Sequence, residues 1–253
     1  MASEERFGYE WKKYANMDAR YERQFLNWTG TRPEEWRGKR VLDAGCGMGR
    51  NSYWPLSYGA AQVIAFDNDE QSLASARTTL APFPNARVER HDLKDLPYAA
   101  AFDIVICIGV LHHVRNPERV LANLVRAVAR GGSLIVWVYS YEGNEWIVRF
   151  VNPIRTAITS RLPLPLVHVL AYLCTMPLWL YIKVTGGTSS YLRELAGYKF
   201  WHVHSIVFDQ LIPAVANYWR KDEVEALALA AGIKSFVVEH PANQQGWTLR
   251  ARI

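Results

Sequence analysis

A doubly wound α/β fold, with a seven-stranded, mostly parallel sheet between helices, follows from three features of this 253-residue chain. Apolar runs of strand length end in acidic residues at Asp43 and Asp67. Each run gives way to a turn and then a helical stretch, the alternation that builds parallel sheets. The third feature is Gly45-Cys46-Gly47-Met48-Gly49-Arg50, a glycine-broken turn directly after the first run. Glycine tolerates φ > 0 and lets a ligand lie against bare backbone. Sheets of this kind bind ligands beyond the carboxyl ends of their strands.

Composition narrows the class. Half the residues are hydrophobic and the formal charge is +5, so the chain is globular. Lys and Arg are scattered without a dense run, and nucleic acid is not implied. The opening Met1-Ala2-Ser3-Glu4-Glu5-Arg6 has no apolar segment, so no signal peptide is expected. Cys46, Cys107 and Cys174 are far apart. Neither a disulfide framework nor a zinc site follows, and a reducing cytoplasm is the expected setting.

Four regions are expected. Residues 1–40 form a helical and aromatic flap, with a helix near 18–28 on which Tyr21, Phe25, Leu26 and Trp28 recur at helical spacing. Residues 41–140 form the sheet core. Its first helix, 50–58, contains Pro55 and should be short or bent. Gln62 to Asp67 is the second strand, Glu70 to Leu80 a helix, and Arg87 to Arg90 a short strand before His91-Asp92-Leu93. Phe102 to Ile108 is apolar, as a central parallel strand should be, and runs into Gly109-Val110-Leu111-His112-His113. Asn116 and Pro117 open the next helix, whose apolar face runs to Val128 and which Gly131 is expected to end. Ser133 to Tyr139 is the fifth strand.

Residues 141–219 are an insertion, and 220–253 return to the core as a helix and two closing antiparallel strands. Within the insertion, Leu162 to Ile182 carries no charge and is long enough to span a bilayer. Pro163, Pro165 and Pro177 interrupt it, which favours a hydrophobic helical cap over a span, with peripheral membrane contact left open. The sequence fixes no oligomeric state.

The glycine turn does not match the dinucleotide fingerprint G-x-G-x-x-G, because Arg50 stands where its third glycine belongs. The stretch Val41 to Arg50 instead resembles motif I of the class I S-adenosylmethionine (SAM)-dependent methyltransferases. The end of the insertion, Trp201 to Pro213 and then Asn217-Tyr218-Trp219, together with Phe7-Gly8-Tyr9-Glu10-Trp11-Lys12 and Trp247-Thr248-Leu249-Arg250, resembles a bacterial branch of that class. The resemblance implies SAM as cofactor, with S-adenosylhomocysteine as its product. Asp43, Gly45, Cys46 and Gly47 would cradle the methionine part. Asp67, at the end of the second strand with Asn68 beside it, is placed to accept both ribose hydroxyls. Asp92 would read the adenine amino group with Leu93 against the ring. Ile108, Gly109 and His113 would pass beside the sulfonium, and Trp11 would close the pocket.

Methyl transfer needs the nucleophile, methyl carbon and sulfur in line, and a base if the acceptor is a hydroxyl or a protonated amine. His204 is the first candidate base and His113 the second. Asp209 would orient a histidine and Tyr218 would bind the acceptor. His204 and Asp209 are expected on a loop folded over the pocket. The alternative for His204 is a buried histidine tying the cap to the core. The apolar cap points to a small acceptor, hydrophobic, aromatic or lipid-like. Two rival readings are a nicotinamide-dependent oxidoreductase and a non-catalytic SAM-binding sensor or partner subunit.

Overall fold

The computed structural model describes residues 17, 19–188, 190–241 and 246–253. Trp11 and the other expected flap aromatics, Tyr9 and Tyr14, lie outside the described residues. Seven strands form one sheet: β1 (Arg40–Ala44), β2 (Gln62–Asp67), β3 (Ala86–Arg90), β4 (Phe102–Ile108), β5 (Val128–Tyr139), β6 (Ser235–Glu239) and β7 (Gly246–Arg252). Their order is β3-β2-β1-β4-β5-β7-β6. All neighbours run parallel except β7, which pairs antiparallel with both β5 and β6. The doubly wound, seven-stranded fold is therefore the one expected. The order reverses between β1 and β4, which opens a crevice at their carboxyl ends.

Both faces of the sheet are covered. On one side α1 (Ala19–Thr29), α2 (Arg50–Ser57) and α3 (Glu70–Leu80) pack through Phe25, Trp54, Leu73 and Ala76. On the other, α4 (Pro117–Ala127) and α9 (Lys221–Ala230) contribute Val120, Leu121, Leu124, Val224 and Ala228. This two-sided burial explains why the central strands are apolar throughout. Pro55 sits inside α2, which ends two residues later, in keeping with the expected short helix.

One boundary differs from expectation. The helix α4 ends at Ala127, and Val128 already pairs with Phe102 in the sheet. Gly131 does not cap the helix; it lies in a bulge where the register jumps between Phe102 and Ile104, and its N–H donates to Ile253 O. Burial of the β-branched Val128 against the sheet outweighs continuation of the helical pattern.

The insertion leaves the core after β5 and returns at Trp219. The two ends are clasped by an isolated parallel bridge, Ser140 to Trp219, and by Tyr141 N–H to Trp219 O (2.8 Å) and Trp219 N–H to Tyr139 O (3.1 Å). Between them lie a π-helical turn (Ile147–Val151), α5 (Asn152–Ala157), α6 (Leu164–Thr185), α7 (Ser190–Ala196) and α8 (Phe200–Leu211). The uncharged stretch is not interrupted by its prolines. Pro163 precedes α6, Pro165 occupies its first turn, where a missing N–H costs nothing, and the helix continues through Pro177. One face of α6 packs on α8 through Val167, Ala171, Phe208 and Leu211.

Candidate functional site

The glycine turn is held against β2. Gly45 N–H and Cys46 N–H both donate to Phe66 O (2.9 Å each), and Gly49 N–H donates to Cys46 O. Gly45 has φ +78, and a Cβ there would lie 2.7 Å from a methyl of Val110. Only glycine fits that close approach. Asp67 is the brace of the loop: one carboxylate oxygen accepts from Gly47 N–H (3.0 Å), the other from Asn68 N–H (2.8 Å) and Asp69 N–H (3.1 Å). A carboxylate has about four lone-pair sites, so it can still accept hydroxyl hydrogen bonds. Burial raises its pKa, with the three backbone hydrogen bonds opposing the rise.

Asp43 is fully buried behind the loop. One oxygen accepts from Ser52 Oγ at 2.6 Å, and the other, Oδ1, has no hydrogen-bond partner. Burial pushes its pKa up to about 7. A buried acceptor left unsatisfied is costly, so this oxygen is an opening for a donor or a cation at the loop. The α-ammonium group of SAM has that chemistry, and the donor set therefore fits the cofactor.

The remaining expected contacts lie along the carboxyl ends of β3 and β4. Asp92 is exposed and accepts from Lys94 N–H (2.9 Å), while Leu93 O accepts from Asn123 Nδ2 (3.0 Å). Ile108 is buried, and Gly109 (φ +79) leaves open space where a Cβ would be. Cys46 is buried and burial raises its thiol pKa. It is a packing thiol, not a nucleophile.

Beyond Gly109 the two histidines separate in role. His112 is fully buried, stacked on Tyr139 at 3.7 Å, with neither ring nitrogen hydrogen-bonded. His113 is half-buried, and its Nδ1 lies 2.8 Å from Val215 O. A carbonyl can only accept, so Nδ1 carries the proton and Nε2 carries the lone pair. Burial pulls the His113 pKa down to about 4, with the Val215 hydrogen bond opposing and Arg155 adding to the fall. The ring is neutral at pH 7.

The segment after α8 folds over these histidines. Asn217 N–H donates to His112 O, and Tyr218 stacks on Tyr139 at 5.3 Å. Tyr218 donates to Gln210 Oε1 and accepts from Arg155 (3.5 Å). Burial raises its phenol pKa. Arg155 is fully buried, bonded also to Asn152 and Gln210 O, and has no carboxylate partner among the described residues.

His204 and Asp209 are not on a loop. Both lie on α8, and the helical spacing of Phe200, Val203, Val207 and Leu211 accounts for it. His204 is fully buried in the cap, its Nδ1 3.2 Å from Thr175 Oγ1 and its Nε2 3.4 Å from His168 Nδ1, with Tyr172 stacked on it at 4.1 Å. These partners belong to α6 and not to the cofactor loop. The structure thus gathers His113 and Tyr218 at the crevice, together with His112, Tyr139 and Arg155, which the sequence reading had not assigned. Ser52, also unassigned, sits two positions into the helix that follows the glycine turn. Its spacing from Asp43 was a readable signal; the burial of Arg155 was not.

Residues 42–136 match a family model described as a methyltransferase domain. That segment of the chain is a methyltransferase domain. Among curated relatives, the tRNA U34 carboxymethyltransferase of Idiomarina loihiensis is 33% identical over 44% of this chain and 36% of its own length. That of Pseudomonas paraeruginosa is 35% identical over 46% and 38%. The chain thus aligns with about a third of the length of the curated relatives it matches. Among solved structures, the 1,6-didemethyltoxoflavin-N1-methyltransferase of Burkholderia thailandensis, with S-adenosylhomocysteine bound, superposes with TM-score 0.56 at 15% identity. It covers 93% of this chain and 78% of that one. A chain from the Haloferax volcanii complex of the Trm112 methyltransferase activator with a methyltransferase gives 0.58 at 15% identity, over 96% and 95%. These structures share the methyltransferase fold.

Proposed function

We propose that the protein transfers the SAM methyl group to a small acceptor seated between the β4 end and the segment 215–218, with His113 as base. Bound SAM supplies an electrophilic methyl on a cationic sulfur. The chain supplies the rest. Asp43 and the glycine loop hold the amino acid end, Asp67 the ribose, and Asp92 with Leu93 the adenine. Tyr139 and Tyr218 wall the acceptor side with aromatic surface, backed by the buried His112 ring, and exclude water. The observation that carries the reading is the locked tautomer of His113. Its Nδ1–H is committed to Val215 O, so Nε2 of a neutral ring is the nitrogen able to take a proton. Arg155 offers a buried positive charge behind Tyr218, suited to an acceptor that develops negative charge as it loses its proton. His204 and Asp209 then serve the cap. The three cysteines are free thiols, in keeping with a cytoplasmic setting.

The test is methyl transfer from radiolabelled SAM into cell extracts, comparing wild type with His113→Gln. Transfer should fall by about 10²–10⁴ while S-adenosylhomocysteine affinity stays unchanged. A variant with near-normal turnover removes His113 as base. Label incorporated into tRNA, in line with what the curated relatives are named for, overturns the small acceptor. Cofactor binding with no transfer into any extract favours the sensor reading.

A further inference from the structure

We infer that the cap docks on an anionic lipid bilayer, with α6 lying in the interface plane and its outer face in the acyl region. Among the described residues α6 is the one helix long and apolar enough to cross a membrane, yet only 28% of its most apolar window is buried. The exposed part contains a continuous apolar stripe, with Tyr181 beside it at 44%: Leu166, Val169, Leu173, Met176, Leu180 and Val184, between 46% and 77% exposed. Their spacings of three and four residues put them on one face. The opposite face is occupied, since Val167, Ala171 and Thr175 are buried in the cap. A second exposed ridge, Trp146, Phe150, Ile154 and Ile158, recurs every four residues just before it. Together these exceed the isolated apolar residues a soluble surface ordinarily shows.

Charge selects the occupant. From Trp146 to Arg193 the chain has no Asp or Glu, while Arg149, Arg161, Lys183 and Arg193 are all exposed. Arg161 and Lys183 stand at the two ends of α6. Exposed Glu145 precedes this run beside Trp146, but the long stripe of α6 itself has only cations at its ends, and that framing matches an anionic membrane surface. A second copy of the chain fits less well. A symmetric helix seam needs opposite charges beside it, and here a two-fold contact would oppose cation to cation. A spanning helix fits less well too, because α8 covers one side of α6 with hydrogen-bonded His204 and Thr175.

The experiment is flotation of the full chain with phosphatidylcholine vesicles, with and without phosphatidylglycerol. The protein should float with the anionic vesicles and much less with the neutral ones. Leu173→Glu with Leu180→Glu should weaken binding on the order of tenfold or more, as should Arg161→Glu with Lys183→Glu. Both variants should keep the wild-type melting temperature and S-adenosylhomocysteine affinity, so a lost fold or lost cofactor site is told apart from lost docking. No flotation on anionic vesicles overturns the inference. So does a stable dimer in sedimentation that Leu173→Glu dissolves, or extraction by detergent alone. None of these readouts depends on turnover.

Discussion

The sheet and the cap solve the problem of apolar surface in opposite ways. Every central strand is covered on both faces, and Val41, Leu42, Val63, Ala65, Val105 and Ile106 are without solvent exposure. The cap helices bury one face and leave the other bare, with Leu173 at 64% and Val184 at 77% exposure. Exposed apolar area forgoes roughly 25 cal/mol per Å² of burial. The sheet is therefore organised for its own stability and for a fixed cofactor cradle. The cap accepts a stability cost for surface that faces outward. Substitutions in the two halves should accordingly separate in what they damage.

The largest effect belongs to the cradle. Gly45→Val would place a side chain against Val110 at a backbone φ of +78, adding strain of order 1–3 kcal/mol where the cofactor must approach. Calorimetry should show S-adenosylhomocysteine affinity down on the order of a hundredfold, with flotation unchanged. Unchanged affinity would remove the loop from the site. Asp67→Ala comes next. It deletes ribose acceptors and frees three loop N–H groups, and each charge-assisted bond is worth about 1.5–3 kcal/mol. At least about tenfold weaker binding is expected, and affinity within twofold of wild type would sink the ribose assignment.

A pH titration sharpens the cradle further. The folded Asp43 carboxyl titrates at about 7 against an ordinary 3.8. Between those values the folded state holds a proton that the unfolded state has released. Stability of the cofactor-free protein should therefore fall as pH rises from about 4 to about 7 and level off above. S-adenosylhomocysteine, whose ammonium favours the carboxylate, should bind more weakly below pH 7 by at most tenfold per unit. Asp43→Asn should flatten both profiles; a retained slope assigns it to another group.

The smallest effect is expected in the cap. His204→Gln should lower the melting temperature by several degrees, from loss of a buried contact worth about 1–3 kcal/mol, and change turnover only a few-fold. A stable variant with turnover down a hundredfold would restore His204 as the base.

What the chain revealed in advance follows the same division. Val41 to Asp43, Gln62 to Asp67 and Phe102 to Ile108 are local patterns, and each strand was legible because burial on both faces leaves an unbroken apolar run. The side chains proposed to hold the cofactor hang on those strand ends, so the strand pattern itself located Asp43 and Asp67. The α4–β5 junction was missed because Val128 satisfies a helical face and a strand equally well. His204 was misplaced for a different reason. The five-residue gap to Asp209 suggested a loop, although Phe200, Val203, Val207 and Leu211 carried the helical period. Arg155 had no local signal at all. Its burial arises from contact with Gln210 and Tyr218, residues brought near only by the folding of the cap.

The clasp between Ser140 and Trp219 gives the molecule a further property. The chain from α5 to α8 joins the sheet at two ends held by a few backbone hydrogen bonds, with Tyr21 of α1 stacked on and hydrogen-bonded to His202 of α8 as a side-chain tie beyond them. Closing a longer or shorter loop at such a point changes the entropy only slowly with length. Neither β5 nor β7 need shift register when the intervening segment grows, shrinks or is exchanged. Inheritance can therefore act on the two halves separately. One methyl-donating frame can be passed on intact while successive caps, each tied at the same clasp, are tried against new acceptors and new surfaces.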